Sequence, residues 1–166
     1  MGFRLQTLLR LPDIKASDRK TSLLQFITSR ALVSRPSLAT LPQQLNSVKG
    51  AAAVPFSSVS NLIRELQAGM EVIKEELIQL HKDPEAAGGA EVIRQFVSLH
   101  ECECAGLTSL ETDCMAQLRD LCETYFGETF DIKEPTRTLV VLRDFLGTFG
   151  KALSAVRGAD ANDRMK

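Results

Sequence analysis

The sequence has few aromatic residues, few histidines and almost no net charge. Its 166 residues include no tryptophan, one tyrosine and two histidines, and the formal net charge is −1. Low aromatic content beside abundant leucine favours helices over sheets. A net charge near zero creates no global field for nucleic acid or anionic lipid, so electrostatic recognition has to be local. Nucleic acid is therefore not an expected partner.

Long apolar runs and catalytic motifs are also missing. No run of about 18 apolar residues occurs, so the sequence predicts no membrane span. The pair Gly88-Gly89 follows no strand and lacks the lysine of a phosphate-binding loop. His100 and Cys104 lie one helical turn apart, but no third ligand is specified, so we expect packed side chains and neither metal nor cofactor. We find no catalytic constellation and expect a protein that is not an enzyme.

The cysteine pattern indicates a reducing compartment. The four cysteines lack CxxC spacing and fall in one predicted helix, at Cys102, Cys104, Cys114 and Cys122. Cysteines of this kind are usually buried and reduced. The sequence therefore predicts a cytoplasmic protein.

What the chain does contain is leucine at helical spacing. A first short helix ends before Pro12, and a second spans about 19–34 with Ser17 or Asp18 as its N-cap. Residues 1–50 are thus expected to form short helices, followed by longer ones.

The longer helices are predicted over about 55–82, 90–126 and 135–157. The first of these repeats apolar residues in alternating steps of three and four from Phe56 to Leu80, an a/d heptad pattern. The other two carry similar stripes. We expect an all-α fold in which long antiparallel helices within 55–157 form a three-helix coiled bundle, with 159–166 as a polar tail.

The first loop is the least explained by packing. Lys15, Arg19 and Lys20 form a compact basic group beside Asp13 and Asp18. Cations at a helix N-terminus are unfavourable with the macrodipole, so the group is not placed there to stabilise the helix. Two interpretations stay open: a solvated loop, or a basic finger that binds an acidic protein surface.

The opening residues also carry a family resemblance. The run GFRLQTLLRLPDIKASDRKTSLLQFI resembles the C-terminal part of a formin homology 2 domain. The matching features are a Gly-Phe-Arg-Leu start, a leucine-rich turn, two Asp-x-Lys groups and a Thr-x-Leu-Leu run. They lie at Gly2, Phe3, Arg4, Leu5, Leu8, Leu9, Leu11, Asp13, Lys15, Asp18, Lys20, Thr21, Leu23 and Leu24. Gln25 stands where the family has histidine. More loosely, Tyr125-Phe126-Gly127-Glu128 and a last helix with Phe145 and Phe149 follow the family's order.

The resemblance implies actin as partner and the actin cytoskeleton as location. Formins ride the growing end of filaments as head-to-tail dimers, in which a lasso of one subunit wraps the post of the other. By this likeness residues 1–158 correspond to the post and coiled region. The actin-contact candidates are Lys15, Arg19, Lys20 and Asp18, and the surface for the lasso of another formin subunit involves Gly2, Phe3 and Leu5.

The resemblance covers only part of the family's domain. The lasso, linker and knob have no counterpart in these 166 residues, so we expect reduced activity from this piece alone. The alternative to an actin-binding module is a helical coiled-coil scaffold that mediates self-association.

Overall fold

The computed structural model describes residues 4–16, 20–82 and 87–163, with side chains through Gly158. The described residues form six α-helices: α1 Leu23–Ser34, α2 Leu41–Gln44, α3 Ser47–Ala51, α4 Phe56–Leu80, α5 Ala87–Asp120 and α6 Arg137–Asp163. Two 3-10 helices, Leu5–Arg10 and Pro36–Thr40, and a π-helical turn, Leu121–Tyr125, complete the set. The predicted all-α class is confirmed, and the described ranges contain no β-strand.

The chain divides into two compact units. One, here called the terminal unit, combines Met1–Val54 with Leu121–Lys166, and the other, the hairpin unit, is Pro55–Asp120. The first unit therefore joins segments from both ends of the sequence. The candidate actin-contact loop belongs to this terminal unit.

The hairpin unit consists of α4 and α5 packed antiparallel. Ile63 and Met70 on α4 and Val97 on α5 are buried between the helices. Lys74 on α4 reaches Glu101 on α5 at 2.7 Å, and Gln67 donates a hydrogen bond to Thr108. Part of the heptad stripe predicted on α4 thus faces α5, whereas Leu66 of the same stripe is 53% exposed.

The terminal unit is built around α6. This helix packs against α1, α2, α3 and the first 3-10 helix. Its core joins Leu24 of α1 to Phe149, Ala152 and Leu153 of α6, each no more than 7% exposed. Phe145 stacks on Phe149 with ring centroids 5.8 Å apart. The short N-terminal helices are consequently held by the last helix.

The three-helix coiled bundle is not confirmed. α4 and α5 pair in the hairpin unit, whereas α6 buries its stripe against N-terminal helices in the terminal unit. An apolar stripe predicts that a helix face is buried, but any helix with a complementary face can cover it. The N-terminal helices carry aliphatic side chains and cover the apolar stripe of α6 in this way.

The start of α1 also differs from the prediction. The helix begins at Leu23, four residues after the expected start at 19, and its N-cap is Ser22. The proposed caps Ser17 and Asp18 lie outside the described residues. The cause is local: Ser22 with Gln25 forms a reciprocal capping box, in which each side chain binds the other residue's backbone N–H. Serine spaced three residues from glutamine is a recognisable signal for this start.

Candidate functional site

The candidate loop connects the first 3-10 helix to α1 and is closed at its base. Lys15 and Ser22 form an isolated antiparallel bridge. The Ala16 N–H donates to the Thr21 carbonyl at 2.9 Å, and the Leu23 N–H donates to the Ile14 carbonyl at 2.8 Å. Paired backbone on both sides fixes where the loop leaves and re-enters the unit.

Ser22 links this bridge to the helix. Its Oγ accepts a hydrogen bond from the Gln25 N–H at 3.2 Å, and its own N–H donates to Gln25 Oε1 at 2.8 Å. Two residues later, Leu24 is 3% exposed in the core shared with α6. The loop is therefore presented from an anchored base.

Three lysines line one surface pocket of about 350 Å³ at this base. They are Lys15 and Lys20 from the loop and Lys151 from α6. Pro12, Leu24 and Ala152 supply apolar wall. All three lysine side chains are exposed. The arrangement is a small, locally basic depression on a chain whose net charge is −1.

The structure describes two of the four predicted actin-contact residues. Lys15 and Lys20 line the same pocket, as their spacing suggested, while Asp18 and Arg19 lie outside the described residues. Lys151 was missed by sequence reasoning. It is 136 positions after Lys15 and lies on a helix whose pattern indicated only core, so no local signal could have found it.

Of the three residues predicted to contact the lasso of another subunit, the structure describes Leu5. Gly2 and Phe3 lie outside the described residues. Leu5 is buried at 5% exposure, and its N–H donates to Glu128 Oε1 at 2.5 Å. A separate pocket of about 350 Å³ lies beside it, with Leu5, Cys122 and Val141 as apolar lining. Gly127, at a φ of +62°, turns the chain so that Glu128 reaches Leu5.

The remaining candidate pair, His100 and Cys104, lies in the hairpin unit. His100 Nδ1 is 2.9 Å from Glu103 Oε2, and both residues border an apolar groove of about 520 Å³ with Cys104. Among the described residues, no group of three or more histidine, cysteine or acidic side chains is placed to hold a metal ion. Nor does any helix in the described ranges have the length and apolarity to cross a membrane.

Comparison with known proteins gives a consistent family. Residues 1–150 match the family model described as Formin Homology 2 Domain. Formin-like protein 2 of Oryza sativa subsp. indica is 30% identical over 177 aligned residues, which cover 96% of this chain and 20% of the relative. Formin-like protein 3 of Homo sapiens is 32% identical over 153 residues, covering 91% of this chain and 14% of the relative. The chain thus spans about a fifth or less of the length of these relatives.

Proposed function

Because the chain belongs to the Formin Homology 2 Domain family, we propose that it is an actin-binding module of a formin-type filament nucleation and elongation factor. The resemblance that the opening residues carry is thereby confirmed. The chain spans about a fifth of the length of the first relatives. Filament nucleation and elongation, the activities of a whole formin, are therefore proposed for the protein and follow from its family. We propose the actin cytoskeleton as its place of action.

The observation that carries the proposal is the anchored basic loop. Lys15 is exposed at a backbone bridge whose partner, Ser22, is itself fixed by the capping box. A cation held on an ordered backbone loses less conformational freedom on binding than one on a free loop. Such a group suits an acidic protein surface, where complementary charge provides specificity and speeds association.

Co-sedimentation of the chain with filamentous actin tests this function. Lys15→Asp and Lys20→Asp each place a negative charge in the contact and should weaken binding by roughly three- to tenfold, because exposed ion pairs contribute modestly and reversal adds repulsion. Lys49→Asp is the matched control, since Lys49 is an exposed lysine of the same unit that does not line the pocket. If neither charge reversal in the loop weakens binding to filamentous actin, the proposed contact is contradicted.

We further propose that the pocket beside Leu5 receives a segment of another formin subunit. Its lining combines the apolar residues Leu5, Cys122 and Val141 with charged and polar side chains such as Glu134 and Arg137, and this mixture suits a segment that inserts an apolar side chain and forms polar contacts around it. Gln6 is exposed and also borders this pocket, so Gln6→Trp should fill it without disturbing the core. The expected result is loss of capture by a complete formin homology 2 domain, whereas Val33→Trp, at a position 80% exposed, leaves capture intact. Undiminished capture by the Gln6 variant would reject this pocket.

One observation favours a second candidate function, self-association through the hairpin unit. Leu62 and Leu66 are 58% and 53% exposed beside the apolar groove that Phe96 also lines. Exposed apolar patches of this kind often mark interaction surfaces. If copies of the chain associate here, light scattering should give a mass that rises with concentration, and Leu66→Asp should abolish the rise. A constant monomer mass would remove this candidate.

A further inference from the structure

We propose that Lys151 completes the basic pocket and that the pocket takes the carboxylate of an acidic side chain on the filament. This inference rests on the proposed actin binding and extends it to a residue on α6. Lys15, Lys20 and Lys151 line the same depression, although they come from opposite ends of the sequence. Among the described residues, the loop therefore supplies two of the three cations that line the pocket.

The position of Lys151 is set by the core. Ala152 and Leu153, the next two residues, are 5% and 4% exposed and pack with Leu24 of α1. Leu24 also lines the pocket and follows the bridge that closes the loop. The backbone beneath Lys151 is thus fixed against the same helix that anchors the loop, so the cations share one rigid support.

The ammonium groups of Lys15 and Lys151 are the charged donors that the pocket can offer to an anion. Ser22 and Gln25 satisfy each other, and the Thr148 hydroxyl donates to the Phe145 carbonyl at 2.8 Å. Within the part of the chain that the structure describes, no acidic side chain pairs with Lys15 or Lys151. Among the residues that the structure describes, no aspartate or glutamate borders the pocket. Both lysines are consequently available to a partner's carboxylate.

The pocket fits a protein carboxylate better than a lipid surface. Pro12, Leu24 and Ala152 give it an apolar wall, which can cover the methylene groups of a glutamate while the ammonium groups bind its head. A bilayer would meet the whole face of the molecule, and a net charge of −1 provides no general attraction to anionic lipid. A single acidic side chain needs only the local charge.

Affinity for filamentous actin, measured by co-sedimentation of the full chain, tests the role of Lys151. Lys151→Glu should weaken binding by roughly three- to tenfold, and Lys151→Met, which keeps the aliphatic stem, should weaken it less. Lys49→Glu is the charge-matched control and should bind like wild type. Circular dichroism melts of each variant separate loss of contact from loss of fold.

Zero-length carbodiimide coupling provides a second readout. The reagent activates a carboxylate, and a lysine amine in contact with it then displaces the activated group as a urea to form an amide. Mass spectrometry should find an amide between Lys151 and an acidic residue of actin, and none from Lys49.

The outcomes distinguish this inference from the function on which it rests. If Lys15→Asp weakens binding but Lys151→Glu does not and Lys151 forms no amide, the inference is overturned while the actin-binding proposal stands. If the wild-type chain does not bind actin, both fail. Binding to anionic vesicles that Lys151→Glu abolishes, with actin binding unchanged, would assign the pocket to a lipid headgroup and overturn the carboxylate assignment.

Discussion

At the residue scale, Ser22 joins the candidate loop to α1. It is 6% exposed, belongs to the bridge with Lys15 and forms the capping box with Gln25. Ser22→Ala should lower the free energy of unfolding by about 1 kcal/mol, because the first turn of α1 loses its cap. Denaturant unfolding followed by circular dichroism measures this, with Ser29→Ala, at an exposed position of the same helix, as control. Equal effects of the two changes would contradict the role of the cap.

Thr28 is a buried polar residue with an unused hydroxyl. The residue is 0% exposed, and among the described residues its Oγ1 has no hydrogen-bond partner. Thr28→Val keeps the shape and removes the desolvated group, so it should raise the free energy of unfolding by roughly 1 kcal/mol. Thr40→Val is the control, because that hydroxyl is exposed and donates to the Ser37 carbonyl. A destabilised Thr28 variant would indicate that the hydroxyl is satisfied in solution.

Lys74 gives the hairpin unit a defined dependence on pH. Hydrogen bonds to Glu101 and Glu71 favour its charged form and raise the pKa of Lys74 from 10.5 to about 12. A raised pKa means that the stabilisation is fully present below the unfolded-state value and is lost as pH rises through the folded-state value. Lys74→Met should therefore melt below wild type from neutral pH to about 10, and the difference should shrink towards about 12.

Thermal melting curves recorded at low salt across this pH range measure the difference between wild type and Lys74→Met. Lys82→Met is the matched control. Lys82 is exposed and its ammonium group donates to the neutral side chain of Gln79, so its removal should lower the melting temperature less than Lys74→Met does at neutral pH. A constant gap between wild type and the Lys74 variant across this range would argue against the ion pairs.

At the element scale, α6 organises the terminal unit. Leu153 is 4% exposed in the cluster with Leu24 and Phe149. Leu153→Ala should lower the free energy of unfolding by about 2–5 kcal/mol, because it removes buried surface and leaves a cavity. Val33→Ala is the control, since Val33 is 80% exposed on α1. Denaturant unfolding measures both, and similar small losses would show that α6 does not hold the core.

The elements themselves were largely predictable from the sequence, but their grouping was not. The heptad pattern predicted a helix over 55–82, and α4 spans Phe56–Leu80. The stripe on α6 was equally visible, but the sequence did not indicate that α1 would cover it. Periodicity reports which face of a helix is apolar, whereas the choice of partner depends on side-chain fit across segments far apart in sequence.

The candidate site was also only partly predictable from the sequence. Lys15 and Lys20 could be selected because they are close in sequence and packing does not explain them. Lys151 could not, since only the packing of α6 on α1 brings it to the loop. Predicting that neighbour would have required the correct assignment of helices to units.

For the whole molecule, the proposed recognition of actin depends on charge that is local. The net charge is −1, so the three lysines of the pocket act against a background that does not attract anions in general. The family match covers residues 1–150, which include the loop and the first half of α6. Lys151 is the first residue after this match, so the proposed actin-binding surface combines residues near the start of the match with one that directly follows its end.

The most direct measurement compares the affinity of wild type and the double variant Lys15→Asp/Lys20→Asp for filamentous actin at equal ionic strength. The account predicts saturable binding by wild type and a loss of at least about tenfold in the double variant, because two reversed charges face an acidic surface. Both proteins should show the same helical circular dichroism. Equal affinity of two equally folded proteins would contradict actin recognition through this loop.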